Sequence, residues 1–107
     1  VNYNIIITPA FEREFKPLLK KYKSLKSDLV NLFSSLEINP KQGKPLGKDC
    51  YKIRMAISGK GKGKSGGARI ITCVRVTAEK IYLISIYDKS EKEDISDKQL
   101  NELLKLI

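Results

Sequence analysis

Hydrophobic and polar positions fall into two successive patterns along the chain. Tyr3 to Thr8 is a short apolar run rich in β-branched residues and predicts a strand. Thr8 followed by Pro9 then offers a capping oxygen and a proline suited to a first helical position. Phe11, Phe15, Leu18, Leu19 and Tyr22 recur on one helical face, while Pro17 inside that stripe is expected to kink or split the helix. Ser24 is placed to cap a second helix, whose Leu25, Leu29, Leu32, Phe33 and Leu36 form another stripe ending at Asn39-Pro40. The short connection between these helices predicts an antiparallel helical hairpin.

From Cys50 the period changes to two. Tyr51, Ile53, Met55 and Ile57 alternate with Cys50, Lys52, Arg54 and Ala56, as in a strand with one face on a core. Ala68 to Val76 and Lys80 to Tyr87 predict two further strands, joined by a tight turn near Thr77-Ala78-Glu79. After an acidic-basic stretch, Asp88 to Asp94, Ser96-Asp97-Lys98-Gln99 forms a capping box for a last helix bearing Leu100, Leu103, Leu104 and Ile107. The predicted order is β-α-α-β-β-β-α: an α+β fold, a small and mostly antiparallel sheet with the helical hairpin on one face. Residues 1–107 are read as one domain, without internal repeats.

Composition narrows the functional classes. No apolar run approaches the roughly 20 residues that span a bilayer, and the N-terminal residues lack a basic segment leading into an apolar one, so no export signal is expected. Cys50 and Cys73 lie within strand-like runs and are expected to be buried free thiols in a reducing compartment. The formal net charge is +9, and its location says more than its size. Lys41 to Arg69 holds nine basic residues and one acid, whereas the rest of the chain carries 12 basic and 11 acidic side chains. Such clustering costs self-repulsion and points to a polyanion-binding face rather than a surface charged for solubility.

Its densest part is SGKGKGKSGGAR, Ser58 to Arg69. Gly63-Lys64-Ser65 resembles the tail of a nucleotide-binding phosphate loop, but that loop needs a glycine where Ser58 stands and must open a helix, whereas a strand follows here. A flexible linker fits poorly between two strands of one sheet. The stretch predicts a long hairpin tip that presents Lys60, Lys62 and Lys64 to solvent. Pairing Ile57 near Ala68 would set Arg54 opposite Ile71, Lys52 opposite Cys73 and Ala56 opposite Arg69. Strand parity then collects Lys52, Arg54, Arg69 and Arg75 on the face away from the aliphatic core. With Lys48, Arg75 and the loop lysines Lys60, Lys62 and Lys64 as polyanion-binding candidates, this face suits a phosphate backbone.

The segments DCYKIRMAISGKGKGKSGGARIITCV and IYLISIYDKSEKEDIS, with the helical hairpin before them, resemble the RelE/ParE superfamily of bacterial toxin–antitoxin toxins, nearest its RelE/HigB branch. That resemblance covers nearly the whole chain. It implies a cytoplasmic toxin, an mRNA endoribonuclease acting on ribosome-bound message to inhibit translation, with a cognate antitoxin protein as partner. It also implies catalytic roles for Lys52, Arg54 and Arg69, and for Lys89 after the last strand. A tyrosine expected on the C-terminal segment is unmatched: Ile95 stands near its place, and Tyr87 is the substitute whose parity aims it at the same face. The chain has no histidine, so the commonest general acid–base is missing. Lys52 is the expected base, with Arg54 and Arg69 on the phosphate. RNA supplies its own nucleophile, and neither a metal nor a cofactor is expected. Two alternatives remain at this point: a catalytically inactive RNA- or ribosome-binding relative, and a ParE-like toxin that inhibits DNA gyrase.

Overall fold

The structure, a computed structural model, describes residues 3–61 and 63–107. Its elements are β1 (Asn4–Ile7), α1 (Pro9–Lys21), α2 (Leu25–Ile38), β2 (Lys44–Gly47), β3 (Cys50–Met55), β4 (Ala68–Arg75), β5 (Lys80–Asp88) and α3 (Asp97–Leu104). The strands form one sheet in the order β1-β5-β4-β3-β2, with β1 parallel to β5 and the other neighbours antiparallel. The α+β architecture and the helical hairpin on one sheet face match the sequence pattern, with β2 as an additional edge strand.

The helix ends show how local sequence sets the layers. Thr8 accepts from the Phe11 amide at 3.2 Å and donates to the Leu83 carbonyl at 2.8 Å, so one hydroxyl caps α1 and pins it to β5. Pro17 does not split α1, which runs uninterrupted through it. Pro17 and Arg13, whose carbonyl loses its helical partner, are both exposed, so solvent can satisfy that carbonyl. Ser24 precedes α2 but makes no capping bond. Its hydroxyl instead accepts from the Gly59 amide at 2.9 Å and donates to Asp28, and Asp28 also receives the amide (3.0 Å) and hydroxyl of Ser58. The glycine–lysine loop is thereby tied to the start of α2. The Ser96–Gln99 capping box forms as expected.

Two apolar clusters sandwich the sheet. Phe11, Leu25, Leu36, Ile53, Ile70, Leu83 and Ile86 belong to the larger one, beneath the helical hairpin. On the opposite face Leu100 of α3 closes over Cys50, Ile71, Cys73 and Ile84, so that face is not the purely cationic surface expected of it. Both cysteines are buried and free.

Strand registers place the polar side chains. Met55, not Ile57, pairs with Ala68, which sets Arg54 opposite Arg69 and Lys52 opposite Ile71. This two-residue displacement from the expected register leaves every side chain on its expected face, because the side-chain period is also two. The β4–β5 register shifts between Ile71 and Thr72. Ile84 accordingly joins the α3 cluster while Ile86 joins the hairpin cluster, and Tyr87 emerges opposite Arg69.

Candidate nucleic-acid interface

Cationic side chains from neighbouring strands meet over a cleft of about 840 Å³ at the hairpin end of the sheet. β2 contributes Lys44, directly opposite Lys52 of β3, and Arg54 of β3 lies directly opposite Arg69 of β4. Gly43 makes the first pairing possible: its φ is +102°, and a Cβ there would lie 2.6 Å from the Lys52 carbonyl oxygen. Lys64 reaches the cleft from the loop and Lys89 from the segment after β5. Two pairs of like charges facing each other across strands are destabilising in isolation. Their convergence is the signature of a site for an anion.

The cations differ in how they are held. Arg54 is exposed, whereas Arg69 is only 3% exposed and its Nη1 donates to the carbonyls of Lys64 at 2.9 Å and Ala68 at 3.3 Å. Arg69 therefore braces the loop as well as lining the cleft. Tyr87, opposite it on β5, is 5% exposed. The Lys92 ammonium lies 5.1 Å from the Tyr87 ring centroid, a cation–π contact.

An acid lies among these groups. Asp94 Oδ1 accepts from Lys52 Nζ at 3.2 Å, from the Tyr87 hydroxyl at 3.4 Å and from the Ile95 amide at 2.8 Å. The Ile95 amide foremost, then the Lys52 ammonium, hold its carboxyl below the ordinary carboxylate range against the opposing effect of burial. Burial foremost, and then Asp94, push Tyr87 up to about 12, with Arg69 acting against them. At neutral pH Tyr87 stands as a phenol and Asp94 as a carboxylate.

Five expected site residues, Lys52, Arg54, Arg69, Tyr87 and Lys89, come together here with the loop's Lys64. Lys60 does not. It is not presented to solvent: Nζ donates to Asp88 Oδ1 at 2.7 Å, the Gly66 carbonyl at 3.0 Å and Ser90 Oγ at 3.2 Å, and lies 5.2 Å from the Tyr22 ring centroid. An ammonium so engaged is structural. Lys48 sits instead in the β2–β3 turn, bonded to Asn101 of α3. Arg75 shares the face but lies beyond the α3 cluster, with Nη1 donating to Cys73 Sγ at 2.7 Å. Lys62 lies outside the described residues. Lys52 as base fits poorly, since its nitrogen is donating to a carboxylate. Sequence reasoning passed over Lys44 and Asp94, the first because Lys44-Pro45-Leu46-Gly47 reads as a turn and the second because Glu91 to Asp94 reads as a solvated link.

Fold and cleft together define a small α+β protein with a cleft lined by cations at one end of its sheet. The model of the RelE toxin of the RelE/RelB toxin–antitoxin system matches residues 10–107, and the chain belongs to that toxin family. Among solved structures it is similar to a free-state E. coli RelE toxin carrying two arginine-to-alanine substitutions, at 20% identity and a TM-score of 0.65 over 100% of this chain and 99% of that one. It also resembles isolated E. coli RelE, at 20% identity and a TM-score of 0.53 over 98% and 99% of the two chains. A third match is to the intact E. coli RelBE toxin–antitoxin complex, at 23% identity and a TM-score of 0.51 over 80% and 95%. These likenesses establish the fold. Among the described residues, no helix is long and apolar enough to cross a membrane.

Proposed function

We propose that this toxin is an endoribonuclease that cuts mRNA held on the ribosome and so inhibits translation. The observation that carries this reading is the pair of opposed cation pairs, Lys44/Lys52 and Arg54/Arg69, converging on one cleft. Asp94 offsets the charge of Lys52 alone among these four, so an entering anion relieves further repulsion, and a bent RNA backbone brings phosphates in succession. The 2′-oxygen beside the scissile phosphate attacks phosphorus, so the protein needs no nucleophile of its own. In this reading Arg54 and Arg69 share the phosphoryl oxygens of the crowded transition state, with Arg69 already held by the loop carbonyls. Lys64, Lys89 and Lys44 hold the flanking phosphates. This chemistry calls for no metal or cofactor.

A face that destroys message must be covered in the host, so a cognate antitoxin is part of the reading. Its covering segment is expected to be acidic, because it opposes the region where the chain's net charge is concentrated. Purified protein is to be incubated with free mRNA and with translating ribosomes, and the cut ends mapped. The reading expects 2′,3′-cyclic phosphate ends on the upstream fragments of ribosome-bound message. Intact message together with blocked supercoiling would favour gyrase inhibition, and intact message with retained ribosome binding would favour an inactive relative.

A further inference from the structure

Cleavage through the 2′-oxygen needs a base, and this chain offers no histidine for the task. Among the groups in mutual contact within the cleft, two have their proton in the wrong place. Lys52 donates to Asp94 as an ammonium, and Tyr87 donates to the same oxygen as a phenol. Asp94 stands already deprotonated. Its Oδ1 is occupied by three donors, whereas its Oδ2 accepts no hydrogen bond from the described residues, and the side chain is 60% exposed at the cleft.

We propose that Asp94 is the general base of this site, taking the proton of the 2′-hydroxyl while Lys52 protonates the leaving oxygen. The proposal rests on the ribonuclease reading. The O2′–H bond breaks as its proton passes to the Asp94 carboxylate, and the O2′–P bond forms. The P–O5′ bond then breaks, and the 5′-oxygen takes a proton from the Lys52 ammonium. The products are a 2′,3′-cyclic phosphate and a 5′-hydroxyl, with Asp94 left protonated and Lys52 neutral. Asp94 then gives up its proton and Lys52 regains one by exchange with solvent, which reaches the 60% exposed carboxyl, and the starting ion pair is restored. Tyr87 holds Asp94 in place, as a positioning residue.

A carboxylate is a weak base toward an alcohol, so its service depends on the cations that stabilise the attacking and phosphoryl oxygens. The charged groups facing Asp94 from neighbouring elements, besides Lys52 and Tyr87, are Lys44, Arg54, Lys64, Arg69 and Lys89, with Glu93 beside it on its own segment. Every one of the cations favours the carboxylate form, which keeps the base ready across the neutral range.

The test is single-turnover cleavage of ribosome-bound mRNA by the wild type, Asp94→Asn and Asp94→Glu between pH 5.5 and 8.5, with RNA binding and thermal melting measured alongside. The wild-type rate should stay flat over that range. Asp94→Asn should fall by about 10²–10⁴-fold, keep its melting temperature and RNA affinity, and rise about tenfold per pH unit as hydroxide replaces the missing base. Asp94→Glu should retain a flat profile at a reduced rate. Asp94→Asn cleaving within threefold of wild type, or losing rate while its profile stays flat, overturns Asp94 as base and leaves the ribonuclease reading intact. A wild type that never cleaves overturns both.

Discussion

Replacing Lys60 by Met keeps the length of the side chain and removes its charge, and this distinguishes a buried strut from an RNA contact. In the Lys60–Asp88 pair the side chains are 10% and 0% exposed. Without the ammonium, Asp88 retains the Ser90 amide at 3.0 Å, the Ser90 hydroxyl at 2.8 Å and the Tyr22 hydroxyl at 3.2 Å. Breaking a buried pair by removing one partner costs about 3–5 kcal/mol, and the three surviving donors place this loss near the lower end. The carboxyl itself gives a comparable figure. Burial acts to raise it, but Lys60 and Ser90 prevail and bring it from 3.8 to about 2, worth roughly 2–3 kcal/mol of folding stability. Urea unfolding at pH 7 should show Lys60→Met about 3 kcal/mol less stable with an unchanged slope. Because the folded carboxyl is depressed, its contribution is present above about pH 3.8 and is lost as the pH falls towards 2, and Asp88→Asn should abolish that acid-limb slope. A Lys60→Met protein within 0.5 kcal/mol of wild type but weakened in RNA binding would refute the assignment.

Other perturbations follow from single contacts. A Cβ at Gly67 would drive into the Met55 carbonyl, so Gly67→Ala should lower stability by about 1–3 kcal/mol, measured as a fall in melting temperature with the cleft's charges unchanged. Ser96→Ala removes half of the capping box on α3 and should cost about 1 kcal/mol; because α3 covers Cys50 and Cys73, the same variant should speed thiol labelling in the native state. Arg69→Ala should both impair cleavage and loosen the loop, read as faster proteolysis near Lys64, because its guanidinium bonds the Lys64 carbonyl.

The layers of the fold were legible because their signals are local. Thr8-Pro9, Ser96 to Gln99 and the two apolar stripes each declare an element within a few residues. β2 escaped because Pro45 and Gly47 read as turn residues, and only its pairing with β3 makes Lys44 to Gly47 a strand. Parity grouped Lys52, Arg54 and Arg69 despite a misplaced register, since a displacement of two residues conserves faces. What parity does not show is which distant acid a cation will meet. Lys60 and Lys64 look alike in a glycine-rich loop, yet Asp88 draws one into a buried pair 28 residues away in sequence and leaves the other at the cleft. Asp94 was missed for the same reason: its role is set by Lys52, 42 residues earlier. The glycines that free the loop also erase any periodicity that would mark which lysines face inward.

Arg54 is the most direct probe of the central claim, that opposed cations in this cleft cut RNA. It is exposed, lines the cleft and faces Arg69, so Arg54→Ala removes charge where the phosphate is to bind without removing core packing. The measurement is the single-turnover rate of ribosome-bound mRNA cleavage at saturating protein, beside the melting temperature of the same preparation. A fall of about 10²–10³-fold with unchanged melting is the predicted result. Cleavage by Arg54→Ala at the wild-type rate, with the protein fully folded, would contradict the account.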